Sequence, residues 1–164
     1  MREIWRIAAK NIVTGDDVPL EPKQITPRIY QGGWLMPRDI PELVRLGITD
    51  LLNLDHPYED YRPFSEAGIT PHNIFIRDAC LMTPQLMRDA IAIIDETLSS
   101  PEHVIYIHCN EGVSRSPTIT WLYLIHAGLS PEEAAAKVKP NRLLYDAAMV
   151  QQLIDNQPAV TTPL

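Results

Sequence analysis

The sequence predicts an α/β fold, a sheet covered by helices on both faces, and three observations carry that prediction. Short apolar runs of strand length alternate with segments of helical periodicity. Fifteen prolines punctuate the chain and mark where those runs end. With 164 residues, 45% apolar and 21% charged, the chain has the size and composition of one globular domain with a proper core.

Taken in order, residues 1–24 read as an N-terminal arm with one short helix at most, its Ile4, Trp5, Ile7 and Ala8 packing on the domain. Residues 28–31 form a first strand, stopped by Gly32-Gly33. A short helix follows over 39–46, with Pro41 in its first turn and Gly47 beyond its last. Residues 48–54 (Ile-Thr-Asp-Leu-Leu-Asn-Leu) make a second strand, and 55–63 a polar loop flanked by proline. Residues 64–67 give no more than a helical turn before Gly68. The run Asn73-Ile74-Phe75-Ile76 is a third strand, ending at Arg77-Asp78. Thr83-Pro84 is an N-cap followed by proline, opening a helix whose apolar face is Leu86, Met87, Ala90, Ile91, Ile94 and Leu98. Val104-Ile105-Tyr106-Ile107 is a fourth strand, and the segment 118–125 a helix ended by Gly128. Ser130-Pro131-Glu132-Glu133 is a capping box for the next helix. A last helix covers 146–156, before a flexible tail over 157–164.

The chemistry is concentrated between the fourth strand and the helix after it, in His108-Cys109-Asn110-Glu111-Gly112-Val113-Ser114-Arg115-Ser116. A glycine-bearing turn from strand to helix aims successive backbone N–H groups at one point, and the helix N-terminus adds positive potential there. Asn110, Glu111, Gly112, Val113 and Ser114 thus form a cradle for an oxyanion of phosphate size. Arg115 grips two of its oxygens with a planar fork. Cys109, stabilised by the loop amides, the helix end and Arg115, is read as a thiolate nucleophile. Ser116 donates a hydrogen bond to the sulfur and helps it leave. His108 is a strut bonded to nearby backbone rather than a base, because a preformed thiolate needs none. The departing oxygen needs a proton donor on a loop that reaches over the cradle. Asp78, at the end of the third strand, is the first choice, and Asp55, on the loop after the second strand, the next. Asp89 and Asp95 lie in a helical pattern and read as surface charges.

The bulk numbers narrow the partners. A net charge of -7 argues against nucleic acid or an anionic membrane as the main partner. No apolar run approaches the ~20 residues of a membrane helix, and the N-terminus lacks the uninterrupted apolar core of a signal peptide. Only two cysteines occur, which disfavours a disulfide framework and favours a reducing, cytoplasmic setting.

These residues resemble the cysteine-dependent dual-specificity protein phosphatases, in which His-Cys-x5-Arg-Ser precedes the same kind of helix. Residues 25–32 (Ile-Thr-Pro-Arg-Ile-Tyr-Gln-Gly) are similar to that family's opening strand, and Leu46-Gly47-Ile48-Thr49 through Leu54 to its next one. Phe75-Ile76-Arg77-Asp78 falls where the family carries its general acid, and 134–142 resembles its late helix. The resemblance spans 25–156 and implies a small catalytic domain on a mixed sheet of about five strands, like that of protein-tyrosine phosphatases. It implies neither metal nor organic cofactor, and a monomer acting on phosphorylated protein: phosphotyrosine first, phosphoserine and phosphothreonine more slowly, through a cysteinyl-phosphate. The chain departs from the pattern in two places. Glu111 is an acidic rim residue that would repel a second substrate phosphate. Leu143-Leu144-Tyr145-Asp146 replaces the family's segment whose asparagine braces the phosphate loop.

Two other functions stay open: a phosphate-binding module with weak or no catalysis, and a phosphatase for a non-protein phosphomonoester such as an RNA end, a lipid or a glycan. Cys80, two residues after Asp78, has two readings as well. It either captures an oxidised Cys109 as a disulfide or packs under its loop.

Overall fold

The computed structural model describes residues 21–140 and 143–156. The expectations for 1–20, for Asn141 and Arg142 and for the tail lie outside the described residues. Five strands make one sheet: β1 (Lys23–Thr26), β2 (Ile29–Gly32), β3 (Asp50–Asn53), β4 (Thr70–Asn73) and β5 (Ile105–His108), in the order β1-β2-β5-β3-β4. Only the β1–β2 hairpin is antiparallel; β2, β5, β3 and β4 run parallel, so the sheet is mixed. The helices are α1 (Ile40–Arg45), α2 (Arg62–Glu66), α3 (Pro84–Leu98), α4 (Arg115–His126), α5 (Pro131–Val138) and α6 (Ala147–Asp155).

Alternation along the strands divides the core between the two faces. Ile29, Leu52, Ile105 and Ile107 point to one side, where they meet Met87 and Ile94 of α3, Leu122 of α4, Val138 of α5 and Met149 of α6. Tyr30, Leu51 and Tyr106 point to the other, against Leu43 of α1 and Phe64 of α2. The stretch from Arg115 to Ile125 is buried throughout, as expected of a helix wrapped by a sheet and other helices. The caps follow their sequence signals. Thr83 accepts from Leu86 N, and Ser130 and Glu133 close a reciprocal box; Asp146, read as the first residue of the last helix, instead caps it by accepting from Ala148 N.

Several boundaries differ from expectation: α2 begins at Arg62, inside the segment 55–63 read as a loop, β3 is shorter than 48–54, and three further differences bear on the site. The hairpin begins at Lys23, two residues inside the segment read as an arm, because β1 is half polar and has no strand-like pattern of its own. The third strand is Thr70–Asn73, not 73–76. Pro71 and His72 hide it, and Pro71 is tolerated because β4 is an edge strand. The apolar run beyond continues as a backbone extension, with Ile74 N bonded to Asn53 O and Ile76 N to Leu54 O. The long helix α4 starts at Arg115, three residues before the apolar run begins.

Candidate active site

The register places Gly32, His108, Asn53 and Asn73 side by side at the carboxyl ends of the four parallel strands. This is the edge where open parallel sheets gather their sites. The loop from Cys109 to Ser114 leaves β5 there and enters α4. It is nested against the end of β2. Gly112 adopts φ +73°, and a Cβ on it would lie 2.7 Å from Gly32 C, so both conformation and space require glycine. A Cβ on Gly33 would come within 3.0 Å of Asn110 O. Two backbone bonds stitch the loop to the same segment: Trp34 N to Asn110 O at 2.8 Å and Cys109 N to Gly32 O at 3.4 Å.

Cys109 is buried, with Sγ 3.4 Å from Ser116 Oγ. Ser116 has a single hydroxyl hydrogen, which donates to Gly32 O at 3.1 Å and can turn to the sulfur when that sulfur carries charge. His108 is fully buried, and burial pushes its pKa down to about 4, so the ring is neutral near pH 7. Its Nδ1 lies 3.3 Å from Cys109 O and its Nε2 3.5 Å from the Tyr58 hydroxyl. A neutral ring with Nδ1–H donating and Nε2 accepting satisfies both contacts. Asn110, Gly112 and Ser114 are half-buried, while Glu111 and Val113 are exposed at the rim.

Arg115 is held from two other loops. Its Nη2 donates to Asp55 Oδ2 at 2.7 Å and its Nη1 to Ile76 O at 2.9 Å. Its Nε is buried and finds no hydrogen-bond acceptor among the described residues. Asp78 Oδ1 stands 3.5 Å from Nε, on a side chain that is 63% exposed. Burial alone would pull the guanidinium pKa down; the bond and charge of Asp55, joined by Cys109 and Asp78, outweigh it and leave it raised. The geometry thus brings Cys109, Ser116, Arg115, Asp55 and Asp78 together. Cys80, in the turn after Asp78, is half-buried and, like Cys109, a free thiol.

Sequence reasoning missed several contributors. Leu144, in the segment that departs from the family pattern, provides a bracing route by its backbone: its N donates to Thr118 Oγ1 at 3.0 Å, and that hydroxyl donates to Ser114 O at 2.6 Å. Leu144 O accepts from Met82 N at 3.2 Å, which ties the segment after Cys80 to the same brace. Gly32 and Gly33 read as a strand stop, and their second task as a seat for the loop has no signal beyond the pair itself. The Ile76 carbonyl has none at all.

Comparison with known proteins fits this geometry. The family model described as Swiss Army Knife protein, DSP-PTPase phosphatase domain, matches residues 34–162. Dual specificity protein phosphatase 26 of Homo sapiens is 30% identical over 87% of this chain and 70% of its own length. Phosphatidylglycerophosphate phosphatase PTPMT1 of Arabidopsis thaliana is 30% identical over 77% of this chain and 40% of that protein. Among solved structures, Tk-PTP in the active form superposes with a TM-score of 0.67 at 19% identity, covering 85% of this chain and 97% of that one.

Proposed function

This chain belongs to the DSP-PTPase phosphatase domain family, and from that premise we propose that it hydrolyses phosphomonoesters through a cysteinyl-phosphate, with phosphotyrosine proteins as its first substrates. The observation that carries the chemistry is the buried Arg115 Nε without an acceptor, in the same loop as a buried cysteine. A buried N–H without a hydrogen bond is costly; the Asp78 carboxylate 3.5 Å away offers charge but no bond, and an oxyanion in the cradle would supply the acceptor.

In the first step the Cys109 thiolate attacks phosphorus, the P–O bond to the leaving group breaks, and Asp78 passes its proton to the departing oxygen. Arg115 and the loop amides hold the three equatorial oxygens as charge develops on them. In the second step water attacks phosphorus and gives its proton to the Asp78 carboxylate. The P–S bond then breaks, and Ser116 donates to the released thiolate. His108 holds the Cys109 carbonyl and moves no proton. No step calls on a metal or an organic cofactor.

Asp78 is the better donor because its carboxyl is exposed and stands 3.5 Å from Arg115 Nε, whereas Asp55 is buried and hydrogen-bonded to Arg115. Protein substrates are favoured over lipids carrying several phosphates by the exposed Glu111, which would repel a second phosphate near the one being cleaved. A phospholipid substrate is the competing reading, and the similarity to a phosphatidylglycerophosphate phosphatase favours it. The reducing, cytoplasmic setting and the monomeric state belong to the same proposal.

The test is turnover of para-nitrophenyl phosphate, then of matched phosphotyrosine, phosphothreonine and phosphatidylglycerophosphate substrates. Wild-type turnover that vanishes in Cys109→Ser while inorganic phosphate still binds supports the enzyme. Phosphate binding without wild-type turnover makes it a binding module. Faster turnover of the phospholipid than of any phosphopeptide transfers the assignment to lipids.

A further inference from the structure

A general acid works only where its carboxyl is held within reach of the leaving oxygen, so the backbone that carries Asp78 matters as much as the carboxyl itself. Residues 77–81 form the span that carries it, and all five are exposed or half-buried. Two buried residues, Ile76 and Met82, bound the span. Directly after Asp78 the chain turns at Ala79, whose φ of +55° lies in the left-handed region. That region is disfavoured for alanine, and such a turn persists where its surroundings hold it.

Both bounding residues are tied to the end of the phosphate loop. On the entry side, Ile76 N donates to Leu54 O at 3.1 Å, and Ile76 O accepts from Arg115 Nη1 at 2.9 Å. On the exit side, Met82 N donates to Leu144 O at 3.2 Å, and Leu144 N donates to Thr118 Oγ1 at 3.0 Å. That hydroxyl uses its one hydrogen on Ser114 O at 2.6 Å and takes Leu144 N as acceptor. Met82 is also packed into the main core, one residue before the Thr83 cap that opens α3. The two ties thus reach adjacent residues, Ser114 and Arg115, from opposite ends of one short span.

We infer that Thr118 and Met82 are positioning residues for proton transfer: joined through the backbone of Leu144, they strap the loop of Asp78 to the phosphate loop and fix its carboxyl beside Arg115. The inference rests on the reading of Asp78 as the acid given under Proposed function. It gives the segment around Leu144 a task beyond bracing the phosphate loop. Ser114 O also accepts from Thr118 N at 2.9 Å, so the phosphate loop keeps a bond when the hydroxyl is removed, whereas the strap loses its joint.

The experiment compares kcat/KM for phenyl phosphate, whose leaving group needs a proton, with that for para-nitrophenyl phosphate, whose leaving group does not. Thr118→Val and Met82→Ala are each expected to slow phenyl phosphate about tenfold and para-nitrophenyl phosphate by no more than about twofold. Thr118→Ser, which keeps the hydroxyl, should hold phenyl phosphate within about twofold of wild type. In an Asp78→Asn background neither Thr118→Val nor Met82→Ala should cost anything further on phenyl phosphate, because no proton remains to be placed. Inorganic phosphate binding, measured by calorimetry in a Cys109→Ser background, should stay within about twofold in Met82→Ala. Either variant decides the matter should the other not fold. Equal slowing of the two substrates in the folded variants overturns the inference, as does a full further loss in the Asp78→Asn background. Unchanged phenyl phosphate turnover does the same. Phosphate binding in Met82→Ala that weakens as far as turnover overturns it too, by assigning Met82 to the cradle. If Asp78→Asn alone slows the two substrates equally, the acid reading fails and takes the strap with it; that failure is distinguishable because it is seen with Thr118 and Met82 intact.

Discussion

Asp50 and Asp55 flank the same strand, both carboxylates are buried, and they are held in opposite ways. Asp50, at the amino end of β3, bonds His72 Nε2 at 3.1 Å, His103 Nδ1 at 2.8 Å and Thr49 Oγ1 at 2.8 Å. Both histidines are partly exposed, and they tie β4 and the segment before β5 to β3. Asp55, past the carboxyl end, bonds a buried arginine whose Nε finds no acceptor among the described residues. The difference teaches a division of labour. At the amino end the carboxylate is fully consumed by its neighbours and serves as a clamp between strands. At the carboxyl end it holds a guanidinium that still has donors to offer. The same residue type, at opposite ends of one parallel strand, supports the fold in one place and the site in the other.

The largest effect that tests this division is Arg115→Lys. A point charge cannot make the planar two-point contact, so kcat/KM for para-nitrophenyl phosphate should fall about a thousandfold. Near-wild-type kinetics would break the carboxyl-end half of the comparison. Asp78→Asn comes next. Loss of the acid should slow phenyl phosphate about a hundredfold and para-nitrophenyl phosphate much less, because an activated phenolate leaves unaided. Equal losses on both substrates would show that Asp78 serves Arg115 rather than the leaving group.

Asp50→Asn sharpens the other half. It should lower unfolding stability in urea by about 1–3 kcal/mol, with kcat/KM kept within about twofold. A loss of turnover larger than the loss of stability would mean that the amino end also shapes the site. The smallest effect concerns His108, which lies beside Asn53 in the sheet. Its folded pKa is pushed down to about 4 by burial, while the unfolded chain takes up its proton near 6.5. Its stabilising contribution is therefore complete above about pH 6.5 and is lost as pH falls toward 4, by at most about 1.4 kcal/mol per pH unit. Urea unfolding at pH 7 and pH 5 should show wild type losing more stability than His108→Asn; equal losses would mean that His108 is charged in the folded protein.

Legibility from the sequence follows how local each signal is. The helix caps at Thr83 and Ser130 are readable because a cap is completed within three residues of itself. The phosphate loop is readable for a similar reason, since its cysteine, glycine and arginine lie on one short turn. Strand β4 escapes the pattern because Thr70-Pro71-His72-Asn73 has no apolar alternation; it pairs through backbone at an edge, where side chains need not be buried. Asp55 stands out in the sequence only as a second-choice acid. Nothing near it announces an arginine sixty residues away.

From its own pattern, the sequence determined an alternating α/β chain, the strand–loop–helix that houses Cys109 and Arg115, and the expectation of a phosphate-sized cradle. These depend on hydrophobic period, caps and turn residues, all of which act over a few positions. Only the tertiary structure decided that Gly32 seats the loop, that Leu144 and Thr118 brace it, and that Asp55 and the Ile76 carbonyl orient Arg115. Each of those is a polar contact between segments distant in the chain. Such contacts follow from strand order and register, which bring Asn53, Asn73, Gly32 and His108 to one edge, and register is set by the packing of the whole sheet against its helices rather than by any one segment.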